Sequence, residues 1–265
     1  MPKWSDFARA RSRVGGLDAT YLTVRQNGRV GSLAVVIAIA VNAMGVREVL
    51  GVDVGPSEEK GFWQQLLRGL VARGLSGVRL VTSDAHRGLR AAVAAVLQGG
   101  GWQRCRVHFV RNALALVPMG AQQLGAATIR TVFAQPDAAS ACEQWRWVAD
   151  GFRERFPRLA MLLNQAEAEV VAVVLAEGSF PQAHGRQIWS NNPLERLNKE
   201  VNPRTGCPLG RMVGIFPNKG AVVRLVGMIL AEQHDEWQVS RCSFSAASLA
   251  RVIPHPEQMP LLAIR

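Results

Sequence analysis

The chain has 265 residues, with 31 Lys+Arg against 20 Asp+Glu and a formal charge of +11. Its 48% hydrophobic and 19% charged residues, with a mean hydropathy of +0.06, supply enough apolar material for a packed core and exclude a disordered tail. Four cysteines, at 105, 142, 207 and 242, lack paired C-x-x-C spacing, so they form neither a disulfide framework nor a closed four-ligand zinc site, and a reducing cytosol is expected. The length suits one large domain or two small ones.

No run reaches the roughly 18 uncharged apolar residues of a membrane helix. The nearest, Val30 to Met44, reads as a buried strand, and the basic start MPKWSDFARARSR is followed by no apolar signal region. The net charge favours a polyanionic partner, nucleic acid first and an anionic membrane surface second.

Leu17 to Arg25 is rich in β-formers, and Asn27-Gly28 then supplies a two-residue hairpin turn. Val30 to Asn42 and Val46 to Val54 follow as strands, giving an antiparallel meander. Ser57 with Glu58 and Glu59 reads as a helix start, Phe62 to Val71 repeat at helical spacing, and Gly74 ends that helix. Val78 to Thr82 is a covered strand, His86 to Leu97 a helix, Gly99-Gly100-Gly101 a break, and Trp102 to Phe109 a fifth strand.

Val110 to about Val174 is helix-forming, punctuated by Pro118, Pro136 and Pro157. After a loop over 178–185, Pro193 sits at the first turn of a helix from Leu194 to Val201, with Asn191 or Asn192 as cap. Residues 202–220 are irregular, and Ala221 to Glu236 is helical. Three strands, helix, strand, helix, strand and helices make a mixed α/β sheet covered by helices, an order that matches the ribonuclease-H-like fold.

Candidate chemistry lies in carboxylates, because hard divalent cations take oxygen ligands from several elements at one point. Asp18 sits in an otherwise apolar first strand, where a charge is costly unless it faces a cleft or binds a cation; the alternative is an edge or turn-facing aspartate. Asp84 ends the fourth strand, where open α/β sheets bind ligands; its alternative is a helix N-cap. His86 either touches a phosphate or starts a helix. Seven Lys/Arg between Arg186 and Arg224 form a basic stripe beside Glu195 and Glu200, either a phosphate-binding face or a solvated one. Trp102, Trp189 and Trp237 either stack on bases or belong to the core.

The block Ser190-Asn191-Asn192-Pro193-Leu194-Glu195-Arg196-Leu197-Asn198-Lys199-Glu200 resembles the N-x-x-E-R-x-N motif of Mutator-type insertion-sequence transposases. Further family blocks stand in the same order: Leu17 to Tyr21, Arg47 to Gly51, Ser83 to Leu89, Trp102 to Asn112, Val213 to Asn218 and Glu232 to Trp237. The resemblance covers nearly the whole chain from Leu17 onward.

It implies a ribonuclease-H-like core with an all-helical insertion: a first core part over 1–109, the insertion over 110–185 and the remaining core over 186–265. It also implies an Asp-Asp-Glu triad of Asp18, Asp84 and Glu195 holding Mg²⁺ or Mn²⁺, with Asp53 outside the triad. The activity implied is cleavage of transposon ends and transfer of the 3′-hydroxyl to target DNA. Terminal inverted repeats and target DNA are the implied partners, in a homo-oligomer in the cytoplasm and on the nucleoid, with no membrane.

DNA contact is expected of His86, Arg104, His108, Arg111, Arg196, Asn198, Lys199 and Arg204. The family's Cys-x-x-His stands here as Cys105 and His108, for which a packed structural role is the stronger reading. From Glu195 alone, an i, i+4 surface pair with Lys199 is the bland alternative. Gly185 stands where the family has a Trp, a Pro-rich segment follows Glu200, and the family's N-terminal repeat-binding region is not expected among these residues. These departures make a truncated copy that only binds DNA or transposase subunits the alternative expectation, with a stand-alone ribonuclease-H-like nuclease a third.

Overall fold

The computed structural model describes residues 12–26, 28–171, 188–201, 215–240, 242, 244 and 245. Among the described residues five strands form one sheet in the order β3-β2-β1-β4-β5: β1 Ser12–Gln26, β2 Arg29–Asn42, β3 Arg47–Gly55, β4 Leu80–Ser83 and β5 Gly101–Arg104. β1, β2 and β3 pair antiparallel, whereas β4 and β5 run parallel to β1. The meander is as expected from its turns, with Gly28 at φ 76°, a conformation open to glycine at little cost.

β1 starts five residues before Leu17. Gly15 and Gly16 have poor strand propensity, yet here they pair with β2 on one side and β4 on the other. Satisfying both backbone edges outweighs the propensity.

Eight helices occur among the described residues. α1 Lys60–Ala72 and α2 Arg87–Val96 cover one face of the sheet, with Trp63, Leu67, Leu70, Leu89 and Val93 against Leu17, Val36 and Ala38. α7 Asn192–Val201 and α8 Lys219–Val239 cover the other, with Leu194, Leu197, Val222 and Val226 against Leu22, Val35 and Ile37. Between them in sequence, α3 Arg106–Leu114, α4 Met119–Val132, α5 Ala138–Phe152 and α6 Pro157–Val170 enclose their own core around Trp145, Phe109, Ile129 and Leu163. Pro118 precedes α4 and Pro157 opens α6, so these prolines punctuate the helical segment as expected. No helix among the described residues is long and apolar enough to cross a membrane.

Two local expectations are corrected. α1 begins at Lys60, with Glu59 at its N-cap and no side-chain cap, rather than at Ser57, because residues 56–59 turn the chain off the end of β3. The fifth strand stops at Arg104 instead of Phe109. The Cys105 N–H donates to the Ser83 carbonyl at 2.6 Å, Arg106 N–H to the Trp189 carbonyl at 2.8 Å, and Phe109 N–H to the Cys105 carbonyl at 2.9 Å. These bonds end the ladder and nucleate α3, placing His108 in a helix. The loop expected over 178–185, the segment 202–214, Gly185 and Arg204 lie outside the described residues.

Candidate active site

The register of the two central parallel strands sets up the site. β1 and β4 pair through Gly16 and Thr82, and two residues beyond that last pair stand Asp18 and Asp84. Both aspartates therefore reach the same level at the edge where β4 ends, the place where open α/β sheets present ligand-binding groups. Asp84 is not a helix N-cap: its Oδ1 accepts from the adjacent Ala85 N–H at 2.7 Å, while His86 caps α2 by accepting from Leu89 N–H at 3.2 Å. The helix-starting reading of His86 is the one the structure supports. Asp53 pairs with Val36, on the α1/α2 face, which separates it from Asp18 by the thickness of the sheet.

Glu195 is brought in by α7, which docks on Gly16. A Cβ at Gly16 would stand 3.2 Å from Asn191 Oδ1, Ile39 Cγ1 and Leu194 Cδ1, so the helix sits close over the glycine and its side chains would have to give by a few tenths of an ångström to admit a larger residue. Asn191 anchors it: its Nδ2 donates to the Leu17 carbonyl at 2.9 Å, its N–H to Cys105 Sγ at 3.3 Å, and its carbonyl accepts from Glu195 N–H at 2.8 Å. Sequence reasoning took Asn191 only as a possible cap. Its position four residues before Glu195 was the signal for a role in seating that helix.

Glu195 turns toward α3 and is only 15% exposed, so its side chain is not part of a solvated face. Arg111 Nη2 lies 3.1 Å and His108 Nε2 3.4 Å from the same oxygen, Oε1. Asn198, one turn further along α7, donates from Nδ2 to Asp18 Oδ2 at 2.9 Å, and Ala19 N–H reaches Asp18 Oδ1 at 3.0 Å. Asn198 was expected at DNA; here its amide is committed to a carboxylate. Arg104, also expected at DNA, is buried, with its guanidinium 3.7 Å from Glu169 and 5.2 Å above the Phe109 ring. Glu169 in turn pairs with Arg90 at 2.6 Å, so this cluster ties α6 to the sheet. Arg196 and Lys199 lie on the exposed side of α7. Trp102, Trp189 and Trp237 each carry an arginine over the ring, at 5.0, 5.0 and 5.4 Å.

Electrostatics tie these groups into one site. Burial pushes the Asp18 carboxyl up to about 6, and the negative charges of Glu195 and Asp84 push in the same direction, against His108 and the Ala19 N–H. His108 is pushed up to about 9, first by the Cys105 side chain and then by the charges of Asp18 and Asp84, with burial opposing. Among the described residues no hydrogen bond of ordinary geometry reaches its Nδ1.

A histidine raised in the fold contributes stability fully present below its unfolded value of 6.5 and lost as pH rises through about 9. The variant H108Q is thus expected to flatten the pH dependence of the melting temperature between those values, read by thermal denaturation across pH. A slope equal to that of the unsubstituted chain would contradict the assignment.

Three carboxylates from separate elements, whose charges oppose one another, are a donor set suited to a hard divalent cation. As they stand, no three His, Cys, Asp or Glu side chains among the described residues form a group that could hold one ion. Glu195 is engaged by cationic side chains instead.

Residues 14–240 match the family model described as "Transposase, Mutator family". The chain is 46% identical over 220 residues to the transposase for insertion sequence element IS1081 of Mycobacterium tuberculosis, covering 83% of this chain and 51% of that protein. It is 39% identical over 226 residues to the transposase for IS406 of Burkholderia multivorans, covering 85% and 56%. Against the transposase for IS256 in transposon Tn4001 of Staphylococcus aureus it is 31% identical over 222 residues, covering 83% and 54%. The chain thus spans about half the length of the curated relatives it matches. The crystal structure of the catalytic core domain of BIV integrase aligns with 60% of this chain and 83% of its own at 13% identity, with a TM-score of 0.25, too low to bear on the argument. By the match over most of its length, this chain belongs to the Mutator family of transposases.

Proposed function

We propose that this chain is the catalytic core of a DNA transposase with a ribonuclease-H-like sheet, acting on transposon ends and target DNA through Asp18, Asp84 and Glu195. The observation that carries the reading is the register: Asp18 and Asp84 stand at one level of neighbouring parallel strands, and the charges of Asp84 and Glu195 both reach Asp18. The strand order β3-β2-β1-β4-β5 supports the fold assignment.

Asp18, Asp84 and Glu195 would hold Mg²⁺ or Mn²⁺. When bound, the ions supply activation of the attacking oxygen and stabilisation of the leaving oxygen in strand cleavage and 3′-hydroxyl transfer. Around them the chain's own groups divide the work. Asn198 orients Asp18, Asn191 seats the Glu195 helix, and His108 holds a proton on the inner side of Glu195 at neutral pH. Arg111, Arg196 and Lys199 present positive charge to phosphates, which adds salt-sensitive affinity. Arg204 and the homo-oligomer belong to the same proposal.

The test is conversion of supercoiled plasmid to nicked circles by the purified chain. Nicking is expected with Mg²⁺ or Mn²⁺ and absent in EDTA; equal nicking in EDTA would overturn the reading. One observation favours a second reading, a chain that binds DNA without cutting it: no metal-holding group of three side chains stands ready among the described residues. Salt-dependent DNA binding with no nicking under either metal would establish it.

A further inference from the structure

The contact between α3 and Glu195 has a chemistry of its own. Two nitrogen-bearing side chains, the Arg111 guanidinium at 3.1 Å and the His108 imidazole at 3.4 Å, converge on one oxygen, Oε1, of a carboxylate that the proposed reaction needs for a metal ion. The two are placed differently. His108 is 14% exposed and lies beside Cys105 and the packed start of α3, whereas the Arg111 side chain is 61% exposed, one turn later on the same helix. Arg111 alone of the two can leave Glu195 for solvent without disturbing the core. Its guanidinium carries five donors in a planar fork that fits a phosphate as well as a carboxylate.

We infer that Arg111 is a substrate-sensing positioning residue: it neutralises Glu195 in the DNA-free protein and transfers to a backbone phosphate when DNA binds, releasing Glu195 toward the metal site. The inference rests on the proposed metal-dependent function. It accounts for the state of Glu195, whose carboxylate is engaged within the protein by two side chains from α3. A cation at the site and the guanidinium on Oε1 exclude one another by charge and by space. DNA and metal must therefore promote each other's binding, by the same factor in each direction.

The experiment uses the full chain and its variants R111Q and R111K, with Mn²⁺ as the probe. Binding is followed by the electron paramagnetic resonance signal of free Mn²⁺, with and without a short DNA duplex, and so needs no catalysis. In the DNA-free protein, R111Q is expected to bind Mn²⁺ about three- to fivefold more tightly, the scale of a partly exposed ion pair. DNA is expected to tighten Mn²⁺ binding to the unsubstituted chain and to R111K, and to do so much less in R111Q. Because Arg111 is exposed, its replacement leaves the core intact, and the melting temperature verifies this.

Equal Mn²⁺ affinity in R111Q and the unsubstituted chain, or undiminished coupling in R111Q, would overturn the sensing role while leaving the metal site standing. Absence of Mn²⁺ binding to the unsubstituted chain with and without DNA would overturn the metal site and the sensing role together.

Discussion

Replacing either strand aspartate with asparagine is expected to reduce metal-dependent nicking by on the order of 10³-fold or more, but only the Asp18 variant should become more stable. The difference follows from burial. Asp18 is 9% exposed on the α7/α8 side of the sheet and its carboxyl is pushed up to about 6, whereas Asp84 sits past the end of β4 and is half-buried. Between the unfolded value of 3.8 and about 6 the folded chain binds a proton that the unfolded chain has released. Asp18's contribution to stability therefore declines as pH rises through that window and stays low at neutral pH.

A carboxyl carried over that span loses about 3 kcal/mol, an upper figure for what D18N can recover. Asparagine keeps an oxygen to accept from Asn198 and removes the charge. In EDTA at pH 7, D18N should melt about 2–8 °C higher than the unsubstituted chain, with D84N little changed. Thermal denaturation at pH 4 and pH 7 checks the sign: the advantage of D18N should shrink at the lower pH. A D18N variant less stable than the parent at pH 7 would remove the case for a site that holds a buried charge for function at the expense of stability.

The second large effect is mechanical. Gly16 lies beneath α7 with Asn191 Oδ1, Ile39 Cγ1 and Leu194 Cδ1 all 3.2 Å from where a Cβ would be. Gly15, its neighbour on the opposite face, has nothing nearer than 3.8 Å. Gly16→Val should cost about 1–3 kcal/mol by overpacking and lift α7, carrying Glu195 out of place. A shift of that kind is expected to lower nicking by about 10²-fold. Gly15→Ala should leave both stability and nicking close to the parent. Urea denaturation with a plasmid-nicking assay reads both quantities, and equal effects of the two substitutions would show that the close approach of α7 does not govern the site.

How much of this was legible beforehand varies by element. The hairpins and α2 follow from local patterning, because turn chemistry at Asn27-Gly28 and helical spacing of apolar residues act within a few residues. Asp18 and Asp84 stood out in the same way, as charges attached to apolar strands, whereas Glu195 was marked only by the resemblance of the block around it to Mutator-type transposases. Their partners did not. Asn198 and Arg104 have the composition of DNA-contacting residues, and nothing within a few positions of either reveals that one is bonded to Asp18, 180 residues away in sequence, and the other is buried against Glu169.

The sequence by itself determined most of the segments that become strands and helices and marked Asp18 and Asp84 as charges attached to apolar strands, since both depend on interactions within a few residues. Only the tertiary structure decided that β1 extends back to Ser12, that the fifth strand yields to helix at Cys105, and that Glu195 lies against Arg111 and His108. Each depends on backbone edges, close approaches and charges supplied by distant segments. Local propensities worth less than about 1 kcal/mol per residue give way to those demands.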